Sequence, residues 1–319
     1  MKKLLFATLI LSLILQLRGG YLYALGPGTT TASFLKITVG GRNAAMGETG
    51  SVPEDVNAIY WNPSGLAKLE GFEVSMMHSK WLEEINYEHL AIGYPTKVGI
   101  FGLAVNYLSM DEIQKYDLDD MPLNERYSPQ DLALTLSYSR RLNDIPLGIN
   151  LKYISSRLEN ESATAYAIDL GGIYDKLEIA KRRLQVGLAL QNLGTKMKFV
   201  KEEDPLPMNI RLGISYPFLK TPQHHLITSL DLNKPVDYSL RLNFGTEYSR
   251  RVLKGLLFSG RLGYRTNIKG LGSNAGLTAG IGFRFKENDL DFAWVPYGDL
   301  GDTYRVSLTL RFGSKAKED

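Results

Sequence analysis

The sequence predicts an all-β protein: a transmembrane antiparallel β-barrel of about 14 strands with an N-terminal plug inside the barrel. Apolar and polar residues alternate in segment after segment beyond Phe72, as in strands with one apolar and one polar face. Many of these segments run for about 9–11 residues, the length that a tilted strand needs to cross a bilayer. The 319 residues include 18 Tyr, 12 Phe and 31 Gly, a composition that favours strands over helices.

Residues 1–24 have the organisation of a secretory signal peptide. Lys2 and Lys3 form a basic start, the apolar run 4–17 follows, and Ala24 is a small residue suited to cleavage. The alternative is a membrane anchor, but an apolar run of about 14 residues is short of the roughly 20 that a spanning helix needs. We therefore expect export and removal of this segment.

The charge balance excludes several classes of function. Of the 37 basic residues, Lys2, Lys3 and Arg18 lie in the leader, so 34 remain beyond Ala24 against 34 acidic residues. A neutral body lacks the basic surface of a nucleic-acid-binding protein, and no nucleic-acid partner is expected. The absence of Cys excludes disulfides, a cysteine nucleophile and a thiolate metal site.

The alternating segments define the predicted barrel, residues 71–312. In one of them, Leu132, Leu134 and Leu136 alternate with Thr135 and Ser137. The predicted strands lie near residues 72–78, 87–95, 99–108, 132–141, 146–156, 165–174, 184–193, 208–216, 224–232, 238–250, 256–266, 275–285, 290–297 and 303–312. The final residues, 313–319, form a short charged tail.

A soluble sandwich would also alternate, so the membrane assignment depends on further features. Aromatic residues recur at the ends of the apolar faces, as in an interfacial girdle: Tyr107, Tyr138, Tyr153, Tyr174, Tyr216, Tyr248, Tyr264 and Phe312. Connections such as 96–98 and 142–145 are short, whereas 109–131 and 194–207 are long and polar. Short periplasmic turns and long external loops are typical of a barrel in the outer membrane of a Gram-negative-type bacterium.

Residues 25–70 do not alternate and are predicted to pack inside the barrel as the plug. Small residues are frequent there and allow close backbone approach, and residues 55–61 are expected to form one or two helical turns that end at Asn62-Pro63. A phosphate-binding loop is excluded because no strand precedes the glycines and no Gly-Lys-Ser/Thr follows them. The plug signature comprises Gly40, Gly41, Arg42, Met46, Gly47, Asn57, Trp61, Asn62, Pro63 and Gly65.

Three stretches resemble the PorV/PorQ branch of the FadL-type outer-membrane proteins. They are GGRNAAMGETGSVPEDVNAIYWNPSGLAKLEG at 40–71, HSKWLEEINYEHLAIGYP at 78–95 and LDFAWVPYGDLGDTYRVSLTLRF at 290–312. The resemblance implies a fourteen-stranded barrel that holds its plug inside. It further implies passage or binding of hydrophobic small molecules, or assistance to protein export as the outer-membrane shuttle of type IX secretion.

The residues themselves do not predict an enzyme, a cofactor or a metal. His224 and His225 are adjacent, so in a strand they point to opposite faces and cannot share one metal. His78 is expected to start an external loop, 79–86, within reach of Glu83 or Glu84. Oxygen ligands that could bind Ca²⁺ loosely are present at Asp111, Glu112, Asp117, Asp119 and Asp120. The motif of a calcium loop is missing, and a solvated acidic loop is the favoured interpretation.

Charged residues on the polar faces should point into the lumen, because Arg costs about 2–4 kcal/mol against lipid at the membrane midplane. The predicted lumen charges are Arg211, Arg241, Arg261, Arg265, Arg284, Arg305, Arg311, Asp169, Asp231, Glu247 and Asp291. Ion pairs that fix the plug are favoured over a path for a charged ligand.

Three functions remain open for this barrel. A channel for hydrophobic solutes would have an apolar pocket between plug and wall, reached past Trp81 in an external loop. A secretion shuttle would bind secreted cargo, or the secretion machinery, through loops 109–131 and 194–207. A diffusion porin would have an open polar lumen. Outer-membrane lipids are expected partners in each case.

Overall fold

A computed structural model describes residues 26–267 and 275–313. The predicted signal peptide, residues 1–24, and the tail beyond Gly313 lie outside the described residues. The eighteen strands are β1 Phe72–Lys80, β2 Asn86–Thr96, β3 Gly99–Ser109, β4 Ile113–Tyr116, β5 Pro122–Tyr127, β6 Gln130–Leu142, β7 Ile145–Leu158, β8 Glu161–Ile179, β9 Arg182–Gly194, β10 Met197–Lys198, β11 Glu203–Asp204, β12 Asn209–Lys220, β13 His224–Pro235, β14 Arg241–Leu253, β15 Leu256–Arg265, β16 Leu277–Phe285, β17 Asn288–Pro296 and β18 Asp302–Phe312.

Fourteen of these strands form one closed antiparallel barrel, in the order β1-β18-β17-β16-β15-β14-β13-β12-β9-β8-β7-β6-β3-β2. The first and last strands close it, with Phe72 opposite Phe312 and Lys80 opposite Tyr304. Closure leaves no strand edge in the membrane, where unpaired backbone groups would be costly. The predicted antiparallel barrel and the count of fourteen strands are confirmed, and each predicted strand has its counterpart.

The alternation in the sequence separates the two faces of the wall. On β6, Leu134 and Leu136 are 42% and 50% exposed, whereas Thr135 and Ser137 are buried. The exposed apolar face points outward and the small polar face points into the lumen. Most predicted girdle residues lie on the outward face, but Tyr174 is buried, at an irregularity in the pairing of β8 with β9.

The long connections contain structure that the alternation did not predict. The loop after β3 folds into the β4–β5 hairpin, and the loop after β9 into the small β10–β11 pair. Their strands are too short for a period of two to be recognised. These loops lie at one end of the barrel, and by the usual asymmetry of outer-membrane barrels that end is external.

The N-terminal segment, residues 26–71, contains short helical pieces joined by irregular chain. They are Ser33–Lys36, Gly41–Ala45, Ala58–Trp61 and Pro63–Lys68, and further single turns lie at Leu82–Glu84 and Gly298–Leu300. Among the described residues, the helices are too short or too polar to span a membrane. The predicted turn before Asn62-Pro63 is present, at Ala58–Trp61.

Candidate functional site

The N-terminal segment contacts inward-facing side chains on both sides of the barrel. The Gly41 amide donates to Ser307 Oγ on β18 at 2.9 Å, and the Gly47 amide donates to Thr278 Oγ1 on β16 at 2.9 Å. On the other side, the Asn150 Nδ2 on β7 donates to the Ile59 carbonyl at 2.7 Å. Such contacts satisfy backbone groups that would otherwise be buried without partners.

Glycines on the wall let the segment approach closely. A Cβ atom on Gly263 of β15 would overlap the Gly47 amide nitrogen, and one on Gly187 of β9 would overlap the Ser51 carbonyl oxygen. On the segment itself, Gly40 has φ of 80°, a conformation that glycine adopts without strain. The small residues therefore serve backbone-to-backbone packing.

The Trp61–Gly65 part of the signature forms a hydrogen-bonded unit. The Asn62 Nδ2 donates to the Ser51 carbonyl at 2.7 Å, and its Oδ1 accepts from the Ser64 hydroxyl at 2.6 Å. The Trp61 indole donates to the Val39 carbonyl at 3.1 Å, and the Arg211 guanidinium lies 4.8 Å from its ring centroid. Pro63 and Gly65 lie in the helical turn that Asn62 caps.

The remaining signature residues also lie against neighbours. Met46 is buried, and a Cβ on Gly245 of β14 would overlap its backbone. Asn57 precedes the helix Ala58–Trp61, and its side chain lies against Gly40.

An ion-pair chain links Arg42 of the segment to three side chains on three strands. Arg42 donates to Glu247 on β14 at 2.9 and 3.0 Å. Glu247 also accepts from Arg261 on β15 at 2.5 Å, and Arg261 donates to Asp291 on β17 at 2.7 Å. Glu247 offsets the desolvation of Arg42, so the pKa of this guanidinium rises above its ordinary value. The charges of these four ion-paired side chains therefore compensate one another.

Glu48 is a second attachment point. Its carboxylate accepts from Arg265 on β15 at 2.6 Å and from the Thr38 hydroxyl at 2.5 Å. Burial alone would raise the pKa of this carboxyl, but Arg265 and the Thr38 hydrogen bond outweigh it and lower the pKa to about 2. Nearby, Asp231 on β13 accepts from the amides of Gly50 and Ser51. Neither Glu48 nor the Lys36–Asp237 pair at 2.8 Å was singled out from the sequence.

The other predicted lumen charges differ in the partners that they contact. Asp231 accepts from Arg211 at 3.2 Å, and Asp169 from Lys152 at 2.7 Å. Arg305 is buried, donates to the Thr38 carbonyl and lies 5.1 Å from the Trp81 ring centroid. The remaining three lie elsewhere on the wall: Arg241 stacks on Tyr238, Arg284 pairs with Asp289 and is half exposed, and Arg311 pairs with Glu73 and Asp289.

An apolar cluster lies beside this polar zone. It brings the segment residues Phe34, Leu35 and Val39 against inward-facing residues of β1, β2, β3, β6, β7 and β8, and Trp81 packs on it. Three buried polar atoms at its margin have no partner among the described residues: Ser79 Oγ, Tyr87 Oη and Arg305 Nη2. Strand register makes Ser79 the cross-strand neighbour of both Tyr87 and Arg305.

The histidines lie on β1, β2 and β13. The expectation for His78 is wrong: β1 continues to Lys80, so His78 faces Glu88 on β2 at 2.6 Å instead of reaching Glu83 or Glu84. His89 is buried against Asn106, and His224 contacts the Tyr248 hydroxyl. In the part of the chain that the structure describes, no three His, Cys, Asp or Glu side chains gather as a metal would require.

The β4–β5 hairpin presents apolar side chains at the external end. Leu118 at its tip is fully exposed, and Tyr116 and Met121 are 59% and 62% exposed. Exposed apolar groups clustered outside the membrane commonly mark an interaction site.

Solved structures show which class of protein has this fold. The toluene transporter TbuX of Ralstonia pickettii aligns at 15% identity with a TM-score of 0.55, covering 86% of this chain and 98% of that one. The toluene transporter TodX of P. putida aligns at 10% identity, TM-score 0.55, with coverage of 86% and 98%. A Pseudomonas aeruginosa FadL homologue aligns at 11% identity with a TM-score of 0.52, covering 86% of this chain and 99% of that one. The fold is that of the FadL-type outer-membrane barrels.

A family match identifies the chain more narrowly. The family described as "Type IX secretion system protein PorV" matches residues 27–237, well over half of the chain. No curated protein matches. The chain belongs to the PorV family and is an outer-membrane β-barrel. The matched family and these structural neighbours are transport or secretion proteins, not enzymes.

Proposed function

We propose that this chain serves type IX secretion as a docking component, holding exported proteins or the secretion machinery at its external face while the N-terminal segment plugs the lumen. The observation that carries the proposal is the β4–β5 hairpin. Tyr116, Leu118 and Met121 are exposed on this hairpin, at the end of the barrel that we assign as external, and a partner that binds there would cover them. The family match supports the same role.

The lumen supports a plugged barrel in preference to a diffusion porin. Buried ion pairs and backbone hydrogen bonds hold residues 26–71 to strands on opposite sides of the wall. Release of the segment would separate Arg42 from Glu247 and Glu48 from Arg265, and breaking a buried ion pair is strongly unfavourable. A permanently open polar path is therefore the least favoured of the three functions.

A second function, binding of a hydrophobic small molecule, is supported by the apolar cluster around Phe34 and Leu35. The toluene transporters with this fold are consistent with it. In this structure, however, the cluster is filled by side chains of the N-terminal segment. Ligand entry would require that segment to move.

The test replaces Leu118 and Met121 together by Ser in the chromosomal copy. If the hairpin docks exported proteins, those proteins should accumulate in the periplasm, while the barrel stays heat-modifiable on a denaturing gel. Val98→Ser is the matched control, because Val98 is 57% exposed on a turn at the opposite end. Undisturbed export by the hairpin variant would refute docking through this surface.

A conductance measurement separates the other functions. The purified full chain in a planar bilayer should show no steady ion conductance if the segment is a plug. Steady conductance would instead indicate a porin. Uptake of a hydrophobic dye into vesicles that contain the protein would favour the small-molecule function.

A further inference from the structure

Basic side chains surround the barrel at the end opposite the long loops. All six turns at this end, between β2–β3, β6–β7, β8–β9, β12–β13, β14–β15 and β16–β17, have at least one within or beside them. We call this set the basic rim: Lys97, Arg140, Lys181, Arg182, Arg183, Lys220, Arg250, Lys254 and Lys286. Most of these residues are exposed, and Arg182 is half-buried.

Acidic residues at this end do not neutralise the rim. Asp144 pairs with Lys176, Asp175 with Arg141, and Asp289 with Arg284 and Arg311. Glu178 and Glu287 are the other acidic residues beside these turns. Glu70 lies at the same end, just before β1. Within residues 26–267 and 275–313, no member of the rim forms an ion pair with a carboxylate, so nine basic groups face three remaining acidic ones.

Several rim residues point sideways toward lipid. Arg140 follows Tyr138 by two residues on the outward face of β6, and Arg250 follows Tyr248 in the same way on β14. The Lys286 ammonium lies 5.6 Å from the Phe285 ring centroid. Because aromatic belts mark the headgroup level of a bilayer, basic groups just beyond the belt lie level with lipid phosphates. Long side chains can also bend toward that layer.

The external end has the opposite charge. Its loops and adjoining strand ends contain a larger number of acidic residues, among them Glu83, Glu84, Asp111, Glu112, Asp117, Asp119, Asp120, Glu159, Glu161, Glu202, Glu203, Asp204, Asp299 and Asp302. The near-neutral body is therefore polarised along the barrel axis. Such polarity distinguishes the two leaflets that contact the barrel.

We infer that the basic rim binds the phosphates of anionic phospholipids in the periplasmic leaflet of the outer membrane. The distribution over all six turns fits a ring of lipids that surrounds the barrel. An acidic periplasmic protein would instead be expected to meet one patch that faces along the axis. The inference is independent of the proposed docking function, because it concerns the other end of the molecule.

The experiment measures lipid preference with the full-length mature chain. The protein is folded into vesicles of equal parts phosphatidylglycerol and phosphatidylcholine and extracted gently, and retained lipids are counted by native mass spectrometry. We expect retained phosphatidylglycerol to exceed retained phosphatidylcholine by about fivefold. The attraction of one basic group to an anionic lipid surface corresponds to an enrichment of about this factor. The excess should fall with added salt.

Matched variants locate the preference. In the rim variant, Arg140, Arg182, Arg250 and Lys286 are each replaced by Gln, and the ratio should fall by more than about twofold. In the control, Lys80, Arg157, Lys196 and Lys198 at the external end are replaced by Gln, which removes the same charge and should change the ratio by less than about twofold. A gel-shift on heating shows that both variants have folded.

Three outcomes overturn the inference. They are the absence of phosphatidylglycerol enrichment in the wild-type chain, an equal loss in rim variant and control, and an unchanged ratio in the rim variant. If the rim variant keeps its lipids but no longer retains an acidic periplasmic protein that the wild type retains, the rim binds protein instead.

Discussion

Glu48→Gln tests how firmly the N-terminal segment is held in the barrel. The substitution keeps the size of the side chain but removes the charge that accepts from Arg265 at 2.6 Å. Breaking a buried pair from one side costs about 3–5 kcal/mol. Arg265 keeps a hydrogen bond to the Ala275 carbonyl at 2.9 Å, so we expect the lower value, about 3 kcal/mol. We call the conformation in which the segment is detached from the wall the open state. At about 1.4 kcal/mol per factor of ten, the open state should become roughly 100-fold more populated.

The assay uses a single cysteine in a chain that has none. Ser51→Cys is nearly isosteric, and Ser51 is fully buried between the segment and the wall. A bulky thiol reagent should label the folded Ser51→Cys protein slowly and the protein that also contains Glu48→Gln about 100-fold faster. Both should label at the same rate after denaturation.

Glu54→Gln is the control. Glu54 lies in the same segment and pairs with Arg42 at 3.1 Å, but its side chain is 41% exposed, and exposed pairs contribute about 0–1 kcal/mol. Adding Glu54→Gln to Ser51→Cys should raise the labelling rate of the cysteine by less than about fivefold. Equal labelling of the Glu48 variant and the unmodified background would refute the attachment that we assign to Glu48.

Three further predictions concern pH, packing and closure. Because the folded pKa of Glu48 is about 2 against its usual 4.5, its contribution of about 3 kcal/mol is complete above pH 4.5 and is lost as pH falls toward 2; pepsin cleavage within 26–71 should therefore rise over this interval, and rise less in Glu48→Gln. Gly263→Ala should loosen the segment at Gly47 and speed labelling of Ser51→Cys, whereas Gly260→Ala in the same strand faces open space and should not. Deletion of residues 305–319 should abolish the heat-modifiable barrel, because β18 closes it against β1, whereas deletion of 314–319 should not; a normal barrel from the longer deletion would contradict this closure.

The barrel strands were predictable because the pattern that identifies each strand lies within a short stretch of the sequence. Most spanning strands alternate with a period of two, and that period is visible within one strand, as at 132–139. The β4–β5 hairpin escaped prediction because its strands are short and lie outside the bilayer, where no apolar face is required. The ending of β1 was placed too early for a related reason: His78 and Lys80 lie on the outward face where the wall leaves the apolar layer, so the apolar pattern fades before the strand ends.

The attachments of the N-terminal segment depend on distant pairs, which one sequence does not reveal. Arg265 lies 217 residues from Glu48, and Asp237 lies 201 residues from Lys36. Alternation predicts that Arg265 faces the lumen, but the identity of its partner depends on how the irregular segment 26–71 crosses the barrel. Residue types alone indicate that charges inside must be compensated, without indicating by which residue.

Charge position gives more information than charge number in this chain. The equal counts of acidic and basic residues beyond Ala24 favoured mutual pairing, and the lumen does contain pairs such as Arg42–Glu247. Outside the lumen, however, the short turns have basic groups with no ion-pair partner among the described residues, and the long loops have a surplus of acidic ones. In a barrel, every second connection lies at the same end, so charges that look interspersed along the sequence are sorted into two rings by folding. A neutral composition is therefore compatible with two ends that meet quite different partners, anionic lipid at one and exported protein at the other.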